Sequence, residues 1–206
     1  MKIVIIGATG TIGRAVTEAL SDHHTVVRVA RTQGEYQVDM ASPASLQRLY
    51  ETIAPFDAVV CAAGQARLAP LDLLTDEDFH FSISNKLMGQ VNLVRLGMRY
   101  ISDKGSFTLT SGVLAHEPMP GSAAVSLVNA GLEGFVRAAA LEMPRGIRIN
   151  VVSPPWVRET LEAMGRDTAA GMPAVMVAEA YVGSVEGQRT GEVIDPRVLS
   201  FQKSGA

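Results

Sequence analysis

The sequence predicts an α/β protein, a doubly wound three-layer fold on a parallel sheet of about seven strands, and three observations carry that reading. The apolar, β-branched run Lys2-Ile3-Val4-Ile5-Ile6 breaks into Gly7-Ala8-Thr9-Gly10-Thr11-Ile12-Gly13, and a helical pattern starts at Arg14. Short runs rich in valine and isoleucine then alternate with longer segments of helical period as far as Pro196. Finally, the 206 residues show no linker, internal repeat or low-complexity segment, so they form a single domain able to bury a full core.

The first unit is strand, glycine turn and helix. One glycine allows a sharp reversal, a second lets bare backbone approach a pyrophosphate, and a third lets helix pack close on strand. The helix N-terminus adds unpaired N–H groups and partial positive charge, which suit an anion. Val16, Ala19 and Leu20 share one helical face, and Asp22-His23-His24 ends the helix. A strand over 25–31 completes a βαβ unit. At its tip, where NAD binders place an acid for the ribose 2′-hydroxyl, stand Arg31 and Thr32. A guanidinium pairs with a 2′-phosphate, which predicts NADP(H) over NAD(H); the alternative is a solvated arginine at a strand end.

Residues 37–39 form a brief third strand reached through a tight loop, and Ser42-Pro43 opens a helix through Tyr50. Residues 56–64 read as a buried strand that ends in Ala62-Ala63-Gly64, small enough for a flat ligand to lie against backbone. Thr75 and Asp78 cap a long helix through Ile83, Leu87, Val91 and Val94. That helix carries Asn85, and Lys86 falls on another face of an ideal helix. Residues 105–112 are a buried strand with Ser111 at its carboxyl end, where open α/β sheets bind ligands. A proline-marked loop, 116–121, leads to a helix over 123–142. Its small residues Ala130, Gly131, Gly134 and Ala138 suggest a subunit interface, hence a homodimer or homotetramer. A strand over 147–153 is closed by Pro154-Pro155. Residues 156–171 read as mobile, with Met164, Gly165 and Met172 placed to line an apolar site, and 191–196 supply a last strand.

Composition narrows the partners. A net charge of -3, from 18 basic and 21 acidic residues, argues against nonspecific nucleic-acid or anionic-membrane binding and for a small-molecule partner. Cys61 is the only cysteine, so no intrachain disulfide forms and a reducing compartment is expected. The first apolar run is too short for a signal core of about 7–15 residues, and no run reaches the roughly 18–20 a membrane span needs. A soluble, cytoplasmic protein is expected, with no metal site.

The ordered matches GATGTIG, Asp39, Ala62-Ala63-Gly64, Asn85, Ser111 and RAAALEMPRGIRINVVSPPWV resemble the short-chain dehydrogenase/reductase family along nearly the whole chain. The resemblance implies a Rossmann-type NAD(P)-binding domain over 1–206. It implies cofactor contacts from Gly7, Thr9, Gly10, Thr11, Ile12, Gly13, Arg31, Thr32, Asp39, Met40, Ala62, Ala63, Gly64, Asn129, Pro154 and Val157. It assigns catalysis to Ser111 and Asn85.

The family's Tyr-x-x-x-Lys is absent: aligned on Ala130-Gly131-Leu132-Glu133-Gly134, Val125 holds the tyrosine position and Asn129 the lysine position. Valine passes no proton, and asparagine can hold ribose hydroxyls but activates no acid. Pro155 replaces the loop glycine, and Thr160 sits one residue late for the nicotinamide amide. His116, five residues past Ser111, is a candidate acid or an exposed loop residue, and Tyr181 could swing in or belong to the core. The readings are an NADP(H)-binding oxidoreductase acting on a carbonyl or alcohol through a degenerate site, or a non-catalytic NADP(H)-binding sensor or scaffold.

Overall fold

The computed structural model describes residues 1–198. Strands β1 (Lys2–Ile6), β2 (Thr25–Ala30), β3 (Tyr36–Gln37), β4 (Phe56–Cys61), β5 (Ile101–Thr110), β6 (Arg148–Val152) and β7 (Val193–Ile194) form one parallel sheet in the order β3-β2-β1-β4-β5-β6-β7. The helices are α1 (Thr11–Ser21), α2 (Pro43–Ile53), α3 (Asp76–Ser82), α4 (Gly89–Gly97), α5 (Ala123–Ala139), α6 (Arg158–Ala163) and α7 (Ala174–Glu186).

Alternation along each strand feeds two cores. Val4 and Ile6 point to the layer of α2, α4 and α5, where they join Leu46, Tyr50, Leu93, Leu132 and Val136. Ile3 and Ile5 point to the opposite layer, with Val16 and Leu20 of α1 and Val177 and Tyr181 of α7. The central strands β1, β4 and β6 are covered on both faces, which is why they read as nearly continuous apolar runs. Strand order reverses at β1, so a crevice opens beyond the carboxyl ends of β1 and β4, the place where open sheets of this kind take ligands.

Local chemistry sets the helix starts. The Ser42 side chain accepts the Ser45 N–H, with Pro43 as the first helical residue of α2. Thr75 and Asp78 form a reciprocal capping box at the head of α3. α3 runs into α4 through a π-helical stretch, Ile83–Met88, whose wider turns rotate side chains away from their ideal-helix positions.

Several boundaries differ from expectation. α1 begins at Thr11, not Arg14, which makes Gly10 its N-cap. β3 is shorter and starts earlier, at Tyr36. β5 starts at Ile101, four residues early; Lys104 there has φ 60°, and the register with β4 shifts between Phe56 and Ala58. α5 ends at Ala139. The segment 156–171 is ordered by α6 and by a bridge from Val157 to Met172.

Candidate active site

The glycine turn is built without spare room. Gly7 has φ 86°, and a Cβ there would meet the Ala62 carbonyl oxygen at 2.8 Å; a Cβ on Gly13 would sit 1.9 Å from the Gly7 carbonyl oxygen. α1 therefore seats directly on the end of β1. Its first turn carries no acid and its N-cap supplies no side-chain acceptor, so the helix end presents bare backbone donors.

Two cavities lie along the carboxyl edge of the sheet. The first, about 320 Å³, is lined by Gly7, Thr9, Gly10, Arg31, Asp39, Met40 and Asn85, among others. The second, about 570 Å³, includes Ile12, Ser111, Val125, Asn129, Pro154, Trp156 and Val157 in its wall. Ala62, Ala63, Gly64 and Gln65 line both, which makes the two one cleft over the end of β4. Of the expected cofactor contacts, Thr11, Gly13 and Thr32 lie on neither wall. Thr32 is exposed, and its carbonyl accepts from Gln37.

β5 delivers Ser111 to the floor of the larger cavity. The Ser111 hydroxyl donates to Oε1 of Glu133 at 3.1 Å, and Oε2 of Glu133 pairs with Nε2 of His116. Glu133 is wholly buried, whereas the His116 side chain is 60% exposed, so these groups link the cavity floor to solvent. Arg137 stands 3.9 Å from Glu133, one helical turn further on. Burying a carboxylate costs several kcal/mol unless partners answer it, and serine, histidine and arginine do so here.

Glu133 is the residue sequence reasoning missed. Its signal was available: it is the single acid of α5, on the i, i+4, i+8 stripe with Val125 and Asn129. Val125 lines the cavity and brings only methyl groups. Asn129 is buried, donates from Nδ2 to the Gly112 carbonyl, and keeps its Oδ1 without a partner among the described residues. A buried acceptor left open costs about 1–3 kcal/mol, so this atom is poised for a ligand donor such as a ribose hydroxyl.

Asn85 and Lys86 exchange their expected parts. Asn85 lines the glycine-side cavity, and its Oδ1 accepts the Gln65 N–H at 2.8 Å. Lys86 lines the Ser111 cavity instead, and its Nζ donates to the Ser111 carbonyl at 3.0 Å. Burial lowers the Lys86 ammonium to about 8. Lys86 does face a different space from Asn85, as expected of adjacent helical positions, but from this π stretch that space is the Ser111 cavity. Gly64, at φ 128°, lies against the lysine stem: a Cβ there would meet Lys86 Cγ at 3.0 Å.

Other expectations are also corrected. Tyr181 takes the core alternative: it is fully buried behind the sheet and bonded to the Thr110 hydroxyl, with its pKa raised by desolvation. Met164, Gly165 and Met172 line neither cavity: Met164 is largely exposed, and Met172 packs on the core under α1 and α7. Arg166 lies over the Trp156 ring. No cluster of ligating side chains that could hold a metal occurs among the described residues.

The sequence model of a family described as Enoyl-(Acyl carrier protein) reductase matches residues 7–194. The chain belongs to the short-chain dehydrogenase/reductase family. Protein lin1944 from Listeria innocua is similar to it, at 42% identity and TM-score 0.91 over 95% of this chain and 98% of that one. A small-chain dehydrogenase solved in complex with NADPH has 26% identity and TM-score 0.83 over 95% of each. Carbonyl reductase family member 4 of Danio rerio is 28% identical over 189 residues, 81% of this chain and 80% of that protein. As a short-chain dehydrogenase/reductase the protein carries the Rossmann-type sheet expected of it, and the glycine cradle, the anion-suited end of α1 and the open Asn129 acceptor fit a nicotinamide dinucleotide. Among the described residues no helix is long and apolar enough to cross a membrane.

Proposed function

We propose that this protein is an NADP(H)-dependent oxidoreductase that interconverts a carbonyl and an alcohol over Ser111. The observation that carries the reading is the shared wall Ala62–Gln65, which joins the glycine cradle and the Ser111 cavity into one cleft. Backbone at Gly7–Gly13 and the head of α1 hold the pyrophosphate, Arg31 pairs with the 2′-phosphate, Asp39 and Met40 border the adenine, and Asn129 Oδ1 accepts from the nicotinamide ribose. The bound nicotinamide supplies the hydride chemistry. Ser111, Glu133 and His116 hold and move protons between the cavity floor and solvent. An exposed stripe on α5, including Leu127, Ala130 and Gly134, is the surface for a homodimer or homotetramer.

One observation favours a second reading, a nucleotide-holding sensor or scaffold: Val125 and Asn129 occupy the tyrosine and lysine positions of the family. Loss of a positioned acid costs about 10²–10⁴ in rate, so turnover depends on another group taking its place.

Titration with NADPH and with NADH tests the reading, followed through Trp156 fluorescence and calorimetry. Tighter binding of NADPH is expected, with a loss of roughly 10–100-fold for Arg31→Asp and little change for NADH, since a charge-assisted hydrogen bond is worth about 1.5–3 kcal/mol. Failure of the wild-type protein to bind either nucleotide defeats it.

A further inference from the structure

The cleft holds a charge that its walls do not answer. Arg67 and Lys86 are the charged side chains in the wall of the Ser111 cavity, and no carboxylate lines it. Arg67 is engaged elsewhere: its Nε lies 3.2 Å from Asp78, and its guanidinium sits 4.4 Å above the Phe81 ring. Lys86 has no acidic partner among the described residues, and its hydrogen bond goes to the neutral Ser111 carbonyl. An ammonium has three N–H donors, which leaves two.

Charges taken from water are normally paired, and among the described residues the half-buried Lys86 ammonium has only the neutral Ser111 carbonyl as its hydrogen-bond partner. The π-helical turn aims it inward, and Gly64 keeps clear the path of its stem. π stretches inside α-helices concentrate at functional sites. What would answer the cation is negative charge that arrives with the substrate and grows during reaction.

Resting on the oxidoreductase reading above, we propose that Lys86 is the catalytic acid of this site, binding the carbonyl oxygen of a neutral or anionic aldehyde or ketone and protonating it during reduction. As hydride from the reduced nicotinamide forms the new C–H bond, the C=O π pair moves to oxygen. That oxygen takes a proton from Lys86 Nζ and becomes a hydroxyl. The products are an alcohol, oxidised nicotinamide and a neutral Lys86 amine, which regains its proton from water. In the oxidative direction the neutral amine takes the hydroxyl proton. Lys86 thereby does from α3–α4 what Val125 on α5 cannot. An amine-bearing substrate is disfavoured, because no acid in the wall offsets two facing cations.

The surroundings suit an acid that works near neutral pH. Burial lowers the ammonium to about 8, close to working pH. Across from it on β4, the Cys61 thiol is pushed up to about 12 by desolvation and stays neutral. α5 faces the same cavity with uncharged Asn129 and Val125, while Glu133 is engaged by the Ser111 hydroxyl and His116.

The test uses 4-carboxybenzaldehyde as the carbonyl probe and the wild-type, Lys86→Met and Lys86→Arg proteins. NADPH affinity is measured first by calorimetry, without the probe. It is expected within threefold in all three, and a wild type that binds none defeats the functional reading rather than the role of Lys86. Probe binding to protein loaded with NADP⁺ is measured next, where no reduction occurs. Lys86→Met is expected to lose at least tenfold in probe affinity, whereas Lys86→Arg, which keeps the charge, stays within a few-fold. NADPH oxidation should fall at least 100-fold in Lys86→Met. The wild-type reduction rate should be level below pH 8 and fall above it as the acid is lost, and Lys86→Arg should be slower with no such fall. Unchanged probe binding or turnover in Lys86→Met overturns the proposal, as does absence of probe binding to the NADP⁺-loaded wild type.

Discussion

Lys86→Met should make the protein more stable at neutral pH, although it removes a hydrogen bond. An ordinary lysine loses its proton near 10.5, and in the folded chain desolvation brings this down to about 8. Those roughly 2.5 decades, at about 1.36 kcal/mol each, set a ceiling of about 3 kcal/mol on what the buried charge costs the fold. Below pH 8 both states carry the proton and the whole cost is paid. Between 8 and 10.5 the unfolded chain binds more protons than the folded one, so stability rises with pH. Above 10.5 the cost is gone. Methionine keeps the apolar stem but leaves the Ser111 carbonyl without its donor, which returns about 1–2 kcal/mol. The net gain expected at pH 7 is about 1–2 kcal/mol. Urea unfolding of the two proteins, followed by circular dichroism from pH 6 to 10.5, reads it as a midpoint shift of roughly 0.5–1 M. The difference should shrink as pH rises through 8 and reverse once only the lost hydrogen bond remains. A variant less stable than wild type by the same amount at every pH would refute the picture of an unanswered charge.

Four further outcomes are expected. Gly13→Ala drives a Cβ into the Gly7 carbonyl oxygen; destabilisation by about 3 kcal/mol or more, with NADPH binding lost, should appear in urea melts and calorimetry. Gly134→Ala meets nothing within 4 Å on the exposed side of α5, so it should stabilise a monomer by about 0.5–1 kcal/mol. If α5 forms the subunit interface, sedimentation should instead show weakened assembly. His116→Ala strips a partner from buried Glu133 and should cost roughly 1–3 kcal/mol, with Glu133→Gln restoring part of it by removing the charge. The double variant Val125→Tyr with Asn129→Lys restores the family pair, and a gain of turnover would show a site still arranged for it.

The sequence by itself determined the strand order's ingredients, the two-sided burial and the ligand edge. Those features rest on local signals: β-branched runs, the Gly7–Gly13 turn, and the Ser42-Pro43 and Thr75–Asp78 helix starts. The expectation that Val125 and Asn129 stand where the resemblance puts a tyrosine and a lysine was equally a sequence reading, because it needs only register along one helix. Only the tertiary structure decided what fills that gap. Glu133 shares its helical stripe with Val125 and Asn129, but only the packing of α5 on β5 shows that it meets Ser111 and His116. Lys86 reads as lying on a different helix face from Asn85, and only the structure shows that this face, in a π stretch, meets the Ser111 cavity. Which of its alternatives Tyr181 takes, and which side of the cleft Asn85 lines, were decided there too, because the space a side chain enters depends on close packing between elements far apart in sequence. Local sequence fixes secondary structure through nearest-neighbour sterics and hydrogen bonding, but the answering of buried charges is a property of the assembled interior.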